Sequence, residues 1–286
     1  MKFRFKIQDY QTDAVNNIIR VFNGQPYNDG SKYRRDLGKK RIHGTKLDIE
    51  SGTFDKDIDI GYKNNEIELD DKTLLKNINL IQSEYDIEES SKVDKSLGCC
   101  SLDIEMETGT GKTYVYTKMM FELNKHYGWS KFIVVVPSIA IREGVWKSMK
   151  TTEDHFMEQY GKKLRFFTYN SSDLHKLDEY SQNSGINVMI INSQAFAREL
   201  DKDKYDKDLA KGKKKKGGLI IFEQRDEFGS RAPIDVIAAN RPIVILDEPQ
   251  KLGKTNSVTQ RNLKEQFNVL FSVNFSAPKD TLPIGQ

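Results

Sequence analysis

The fold is decided by one stretch, SLDIEMETGTGKTYVYTKMMFELNKH, running from Ser101 to His126. SLDIEM (Ser101–Met106) reads as a strand, and Lys112 to about His126 reads as a helix. Between them lies ETGTGKT, Glu107 to Thr113, in the place a phosphate-binding loop has to occupy. Gly109 and Gly111 let backbone amides curl around phosphate oxygens, and the N-terminus of the following helix adds a favourable field. In such a loop Lys112 contacts the β- and γ-phosphates and Thr113 ligates Mg²⁺. Thr108, Gly109, Thr110, Gly111, Lys112 and Thr113 are therefore the candidate ATP contacts. Where the strict G-x-x-x-x-G-K-[ST] pattern has its first glycine, this chain carries Met106.

Outward from the loop, strands and helices alternate. KFIVVV (Lys131–Val136) is a strand of the kind a parallel sheet buries on both faces, and IREGVWKSMK follows as a helix. LRFFTY from Leu164 and NVMIIN (Asn187–Asn192) read as further strands, the latter followed by a short helix, SQAFAREL. RAPIDVIAAN is helical, RPIVILDEPQ holds another apolar strand, and NVLFSVNFSAP from Asn268 holds the last. Such alternation implies an α/β domain, a mostly parallel, doubly wound sheet flanked by helices with right-handed crossovers.

Upstream, Tyr10, Ala14, Val15, Ile18, Ile19 and Phe22 fall at helical spacing, with Asp9 as the expected N-cap. From Asn23 to Gly98 the chain is polar and short of apolar runs, and reads as an insertion on the domain surface. Within it, alternation at Ile58/Ile60 and Ile67/Leu69 suggests a small hairpin, and DKTLLKNINLIQSEYDI from Asp71 an amphipathic helix.

Composition narrows the class. The chain has 286 residues, 37% hydrophobic and 10% aromatic, enough for a real core. Forty-five basic and 42 acidic residues leave a net charge of +3, too balanced to demonstrate a nucleic-acid partner by charge alone. The two cysteines, Cys99 and Cys100, rule out a disulfide framework and a Cys-rich zinc site, and are expected to be reduced, structural thiols. MKFRFKIQDYQ has no apolar signal region and no window approaches a membrane span, so no membrane partner and a cytoplasmic location are expected.

DEPQ, Asp247 to Gln250, ends the strand IVIL. Asp247 at a strand's carboxyl end is placed to bind Mg²⁺ through water, and Glu248 to polarise an attacking water. A GTGKT loop and a strand-end Asp-Glu pair in one alternating chain together indicate an ATP-hydrolysing core, with Lys112, Asp247 and Glu248 as its catalytic residues.

GTGKT, DEPQ and a late Ser-Ala turn resemble motifs I, II and III of superfamily 2 helicases. The longer strings EMETGTGKT, FELNK, FIVVVPSIAIREGV, RPIVILDEPQ and FSVNFSA resemble one branch, the Res subunits of type III restriction–modification enzymes. The likeness is dense from Ser101 to Ala277, resumes at Tyr10-Gln11, and is weak across residues 23–98. It implies a RecA-like motor domain that uses ATP and Mg²⁺ to act on double-stranded DNA, together with a methyltransferase (Mod) subunit that recognises the site. By the same likeness Gln11, beside Tyr10, reads the adenine edge. Pro137, Ser138 and Arg142 touch the nucleic-acid backbone, as do Asn192, Ser193 and Gln194 at an equivalent strand end. Gln250 and Ser276 couple the nucleotide site to DNA movement. The family pattern Ser-Ala-Thr is Ser276-Ala277-Pro278 here, and proline removes both the hydroxyl and the backbone donor.

The tract Lys211–Lys216 reads as a solvated loop in preference to a DNA-binding patch, and Phe166, Phe167 and Tyr169 as core in preference to base-stacking residues. Residues 1–286 are expected to form a single RecA-like domain with 23–98 inserted, and to lack a second RecA-like domain and a nuclease site. On that reading the chain is the N-terminal motor fragment of a longer protein, binding nucleotide weakly with little turnover. Other superfamily 2 motors, such as a type I restriction motor subunit or a repair helicase, fit DEPQ and EMETGTGKT less well. A non-hydrolysing P-loop assembly module is favoured by Pro278 and opposed by the intact Lys112, Thr113, Asp247 and Glu248.

Overall fold

A computed structural model describes residues 7–35, 60–197, 220–252 and 257–278. The lysine tract 211–216 lies outside the described residues. A six-stranded parallel sheet is built from β3 (Ser101–Glu105), β4 (Lys131–Val136), β5 (Arg165–Thr168), β6 (Asn187–Asn192), β7 (Ile243–Asp247) and β8 (Ser272–Ser276). Its order is β3-β8-β7-β4-β6-β5. β4, β6 and β7 lie inside the sheet and are buried along their whole length. Alternate side chains feed two cores. Phe132, Val134, Val188, Ile190, Ile243 and Ile245 face one, and Ile133, Val135, Met189, Ile191, Val244 and Leu246 face the other.

The first core is closed by α1 (Asp9–Val21), α2 (Asp71–Glu84), α3 (Lys112–Tyr127) and α4 (Ile139–Tyr160). The second is closed by α5 (His175–Gln182), α6 (Pro233–Ala239) and α7 (Val258–Gln266). Phe166 and Phe167 pack against opposite cores and Tyr169 is buried, so all three are spent on packing. Cys99 and Cys100 are free thiols at the entry to β3. No helix of the described residues is long and apolar enough to cross a membrane.

Three local expectations are corrected. Asp9 is the first helical residue of α1, not its cap; Gln8 holds the cap position without a side-chain bond, and Asp9 acts on the positive helix end. The hairpin is formed by β1 (Ser31–Arg34) and β2 (Ile60–Lys63), antiparallel, while Ile67 and Leu69 lie outside any strand and pack on the first core. Of SQAFAREL, Ser193–Ala195 is a 3₁₀ turn, because the Asn192 side chain accepts from Gln194 N at 3.0 Å and closes a tighter turn than a helix start.

The polar stretch before β3 is tied to the sheet through buried hydrogen bonds. Asn64, fully buried, accepts from Ser130 N at 2.8 Å and Lys131 N at 3.0 Å, and donates to Lys131 O at 2.8 Å and Arg241 O at 3.0 Å. Asp178 on α5 accepts from Arg35 at 2.7 Å, just after β1, and from both guanidinium nitrogens of Arg231 at 2.8 and 2.7 Å. Leu74 of α2 is a full member of the first core, and Asp70 caps that helix by accepting from Thr73 N at 2.9 Å.

Candidate nucleotide site

A parallel sheet brings the carboxyl ends of its strands to one edge, and the strand order decides which loops meet there. Met106 N donates to Ser276 O at 2.9 Å, and Glu248 N donates to Phe275 O at 2.9 Å. These bonds clamp the ends of β3, β8 and β7 side by side, so the glycine loop, Ser276 and the Asp247-Glu248 pair form one group. Gly111, at φ 89°, is the residue from which α3 starts, and Gly109 is at φ 84°. Both conformations favour glycine. A Cβ on Gly109 would meet nothing within 4 Å, so the loop is open to a ligand there; one on Gly111 would lie 2.7 Å from Gln11 Nε2.

The loop opens onto a cleft of about 620 Å³ lined by Thr108, Gly109, Gly111, Lys112, Thr113, Asp247, Glu248 and Lys251 on the sheet side. Gln11, Tyr114, Ile141, Ser148 and Thr152 line the rest. Lys112 Nζ lies 3.1 Å from Met106 O and 3.2 Å from Glu248 Oε1. The acid from β7 therefore offsets the charge of the lysine. Burial, and then the Glu248 charge, push the Asp247 carboxyl up to about 6, partly offset by Lys112 and Lys251. Glu248 also resists desolvation, yet the Lys112 hydrogen bond and the Lys112 and Lys251 charges hold it below its ordinary value. The neighbouring carboxylates are thus pushed apart, Asp247 upward and Glu248 downward. Glu248 sits at φ 58°, a left-handed conformation that costs a non-glycine residue about 1 kcal/mol or more and clusters at functional sites.

The residues present suit Mg²⁺-nucleotide. Among the described residues no group of three or more His, Cys, Asp or Glu side chains could hold a metal alone. Mg²⁺ is usually held by one or two protein ligands, with waters and phosphates completing its shell, and Thr113 with Asp247 could serve as such a pair. Tyr116, which the sequence reading missed, supports both. Its hydroxyl donates to Thr113 Oγ1 at 3.2 Å, and the Asp247 charge lies close enough to disfavour its phenolate. Its spacing of three from Thr113 on α3 was the available signal.

Tyr10 and Gln11 come from α1 to the loop. Tyr10 Oη donates to Thr110 O at 3.0 Å and Gln11 Nε2 donates to the same carbonyl at 2.9 Å. Gln11 Nε2 also donates to Tyr10 Oη at 3.5 Å, so both of its donors are committed and its Oε1 acceptor is left for a ligand. Gln250 lies outside the cleft lining, and its amide donates to Glu248.

The residues assigned to nucleic acid form a second group, on the neighbouring ends of β4 and β6, where Val136 pairs with Asn192. Pro137 leads to Ser138, which caps α4 by accepting from Ile141 N at 3.3 Å. Arg142 is 3.0 Å from Glu143. Asn192 and Ser193 are buried, and of that trio Gln194 is exposed. Ile141, Ser148 and Thr152 of α4, together with Tyr114, His155 and Lys251, escaped the sequence reading, because single hydroxyls and aromatics along a helix carry no motif.

A glycine loop between an edge strand and a helix, facing an acid pair from a strand two places away in a parallel sheet, defines a RecA-like P-loop domain. The chain belongs to a particular family of such domains: the family described as "Type III restriction enzyme, res subunit" matches residues 4–279. This agrees with the resemblance carried by EMETGTGKT and DEPQ. The chain is 30% identical over 231 residues to the type III restriction-modification enzyme EcoP15I Res subunit of Escherichia coli, covering 75% of this chain and 22% of that protein. It is 29% identical to the EcoPI Res subunit of Escherichia phage P1, with the same coverage, and 31% identical to the StyLTI Res subunit of Salmonella typhimurium, covering 61% of this chain and 18% of that one. The chain thus spans about a fifth of the length of these relatives. Among solved structures, the Sulfolobus solfataricus SWI2/SNF2 ATPase core in complex with dsDNA aligns over 89% of this chain and 34% of that one, at 11% identity and a TM-score of 0.37.

Proposed function

We propose that this chain is the nucleotide-binding motor domain of a type III restriction enzyme Res subunit, in which ATP hydrolysis is coupled to movement on double-stranded DNA and, in the longer protein, to DNA cleavage. Residues 1–286 act as one RecA-like domain with 23–98 as an insertion, and the working partner is a Mod methyltransferase subunit. The observation that carries the reading is the convergence of Lys112, Thr113, Asp247 and Glu248 on one cleft.

Each group has a defined task. The amides of residues 108–111 and the Lys112 ammonium hold phosphate oxygens, which requires Lys112 to exchange Glu248 for the ligand. Thr113 and Asp247 would hold Mg²⁺, which would offset the charge of the phosphates. Glu248, freed from Lys112, orients a water and takes its proton at a carboxylate oxygen. Gln250 fixes the Glu248 carboxylate through its amide, and Ser276 holds the end of β8 to the loop strand β3 through its carbonyl. Pro137, Ser138, Arg142, Asn192, Ser193 and Gln194 form the DNA side, with Arg142 supplying charge and Ser138 and Gln194 polar contacts to phosphates.

Binding of a fluorescent duplex, measured by anisotropy at low salt with and without an unhydrolysable ATP analogue, tests the motor reading. Affinity that changes with nucleotide, and that falls in Arg142→Ala, supports it. Duplex binding that ignores both nucleotide and Arg142 would contradict it.

A further inference from the structure

The cleft is longer than a phosphate site requires. Beyond the glycine loop it continues along a wall made by Tyr114 of α3 and by Ile141, Ser148 and Thr152 of α4. Ser148 and Thr152 are one helical turn apart and share a face. The Thr152 hydroxyl is spent on its own helix, donating to Ser148 O at 3.0 Å and Met149 O at 3.2 Å, so this wall is mainly apolar. A triphosphate arm has no use for such a surface, whereas a planar heterocycle does.

Tyr114 is unusually well held for a half-buried side chain. Its hydroxyl is 3.0 Å from His155 Nε2, and its ring lies 5.1 Å from that of Phe156, tilted by 31°. Burial keeps the His155 imidazole below its ordinary value, so near neutral pH it is an uncharged partner for the phenol. A ring fixed before binding loses little freedom when a base stacks on it. Gln11 reaches the same region: the atom nearest to a Cβ on Gly111 is Gln11 Nε2, and Tyr114 Cβ lies 3.8 Å from that position. With the two Nε2 hydrogens directed to Thr110 O at 2.9 Å and to Tyr10 Oη at 3.5 Å, Gln11 presents an acceptor, which matches an exocyclic amino group and repels a carbonyl.

We propose that Tyr114 is the base-stacking residue of this cleft, that His155 positions it, and that the α4 wall is where an amino-bearing purine base lies. This rests on the phosphate-loop reading of residues 108–113, and the test separates the two. Calorimetry with Mg²⁺ compares ATP with inorganic tripolyphosphate, which has the phosphates and no base. Tyr114→Ala and Tyr114→Leu are expected to weaken ATP by about tenfold, the loss typical of a stacked base, and to leave tripolyphosphate unchanged. Tyr114→Phe keeps the ring but loses the bond to His155, so it weakens ATP as His155→Ala does and less than Tyr114→Ala. His155→Ala lowers the ATP-to-tripolyphosphate affinity ratio in the same direction, a change that a merely structural histidine would not produce. GTP binds the unaltered chain more weakly than ATP. The proposal is overturned if ATP affinity survives loss of the ring, or if both ligands weaken equally. Should the unaltered chain bind neither ligand, the phosphate-loop reading itself fails, and the base site with it.

Discussion

Replacing Asp247 with Asn is expected to stabilise the nucleotide-free protein at pH 8. Asp247 is 6% exposed, and burial beside Glu248 raises its folded pKa to about 6 from an ordinary 3.8. A raised carboxyl pKa means that the folded state holds the proton more tightly than the unfolded chain. Above pH 6 the carboxylate is charged in both states and the folded state bears the full penalty. As pH falls through 6 towards 3.8 that penalty disappears. Two pH units at about 1.36 kcal/mol each correspond to about 3 kcal/mol at pH 8, and to about 1.5 kcal/mol at pH 5. Asn is nearly isosteric and carries no charge. Urea unfolding followed by tryptophan fluorescence, in EDTA and at both pH values, reads the difference. Asp247→Asn should gain stability at pH 8 and about half as much at pH 5, while losing Mg²⁺-dependent nucleotide binding. No gain at pH 8, or the same gain at both pH values, would refute the claim that this cleft holds a strained carboxylate.

Other substitutions probe the frame and the loop. Asn64→Ala strands two buried amides and two buried carbonyls and should cost about 3 kcal/mol or more in urea unfolding; a loss under about 1 kcal/mol means that other groups satisfy them. Burial opposes ionisation of Asp178, but Arg231 and Arg35 prevail and hold its carboxyl below the ordinary value, so its stabilisation is present at neutral pH and lost as pH falls through that lowered value. Asp178→Asn should therefore cost about 2 kcal/mol at pH 7, with the gap to the parent closing in acid; a gap independent of pH argues against the ion pair. Gly111→Ala forces a Cβ to 2.7 Å from Gln11 Nε2 at φ 89° and should weaken nucleotide binding by tenfold or more (about 1.4 kcal/mol), read by calorimetry; unchanged affinity would show that the loop tolerates a side chain there.

How far the sequence could be read depends on which physical signal each element carries. β4, β6 and β7 are covered on both faces, so their apolar runs announce themselves, β4 and β6 at their true boundaries and β7 one residue short of Asp247. The loop was legible because phosphate chemistry demands glycine, lysine and threonine in a fixed order. The β1–β2 pairing was not, since its two short polar strands are separated by a long stretch of chain and carry no strong apolar alternation to fix a register. Asp9 looked like a cap because caps and first-turn acids share residue types. The Tyr114 wall was hidden for a different reason: it exists only where α3 and α4 pack together, and neither helix marks it locally.

The most direct test of the central claim is calorimetric titration of this chain with Mg²⁺-ATP beside the same titration of Lys112→Ala. The account predicts a single site in the parent protein that disappears when the lysine is removed, because Lys112 is the cation that must leave Glu248 to take the phosphates. Equal binding by both proteins would contradict the assignment of the cleft as the phosphate site.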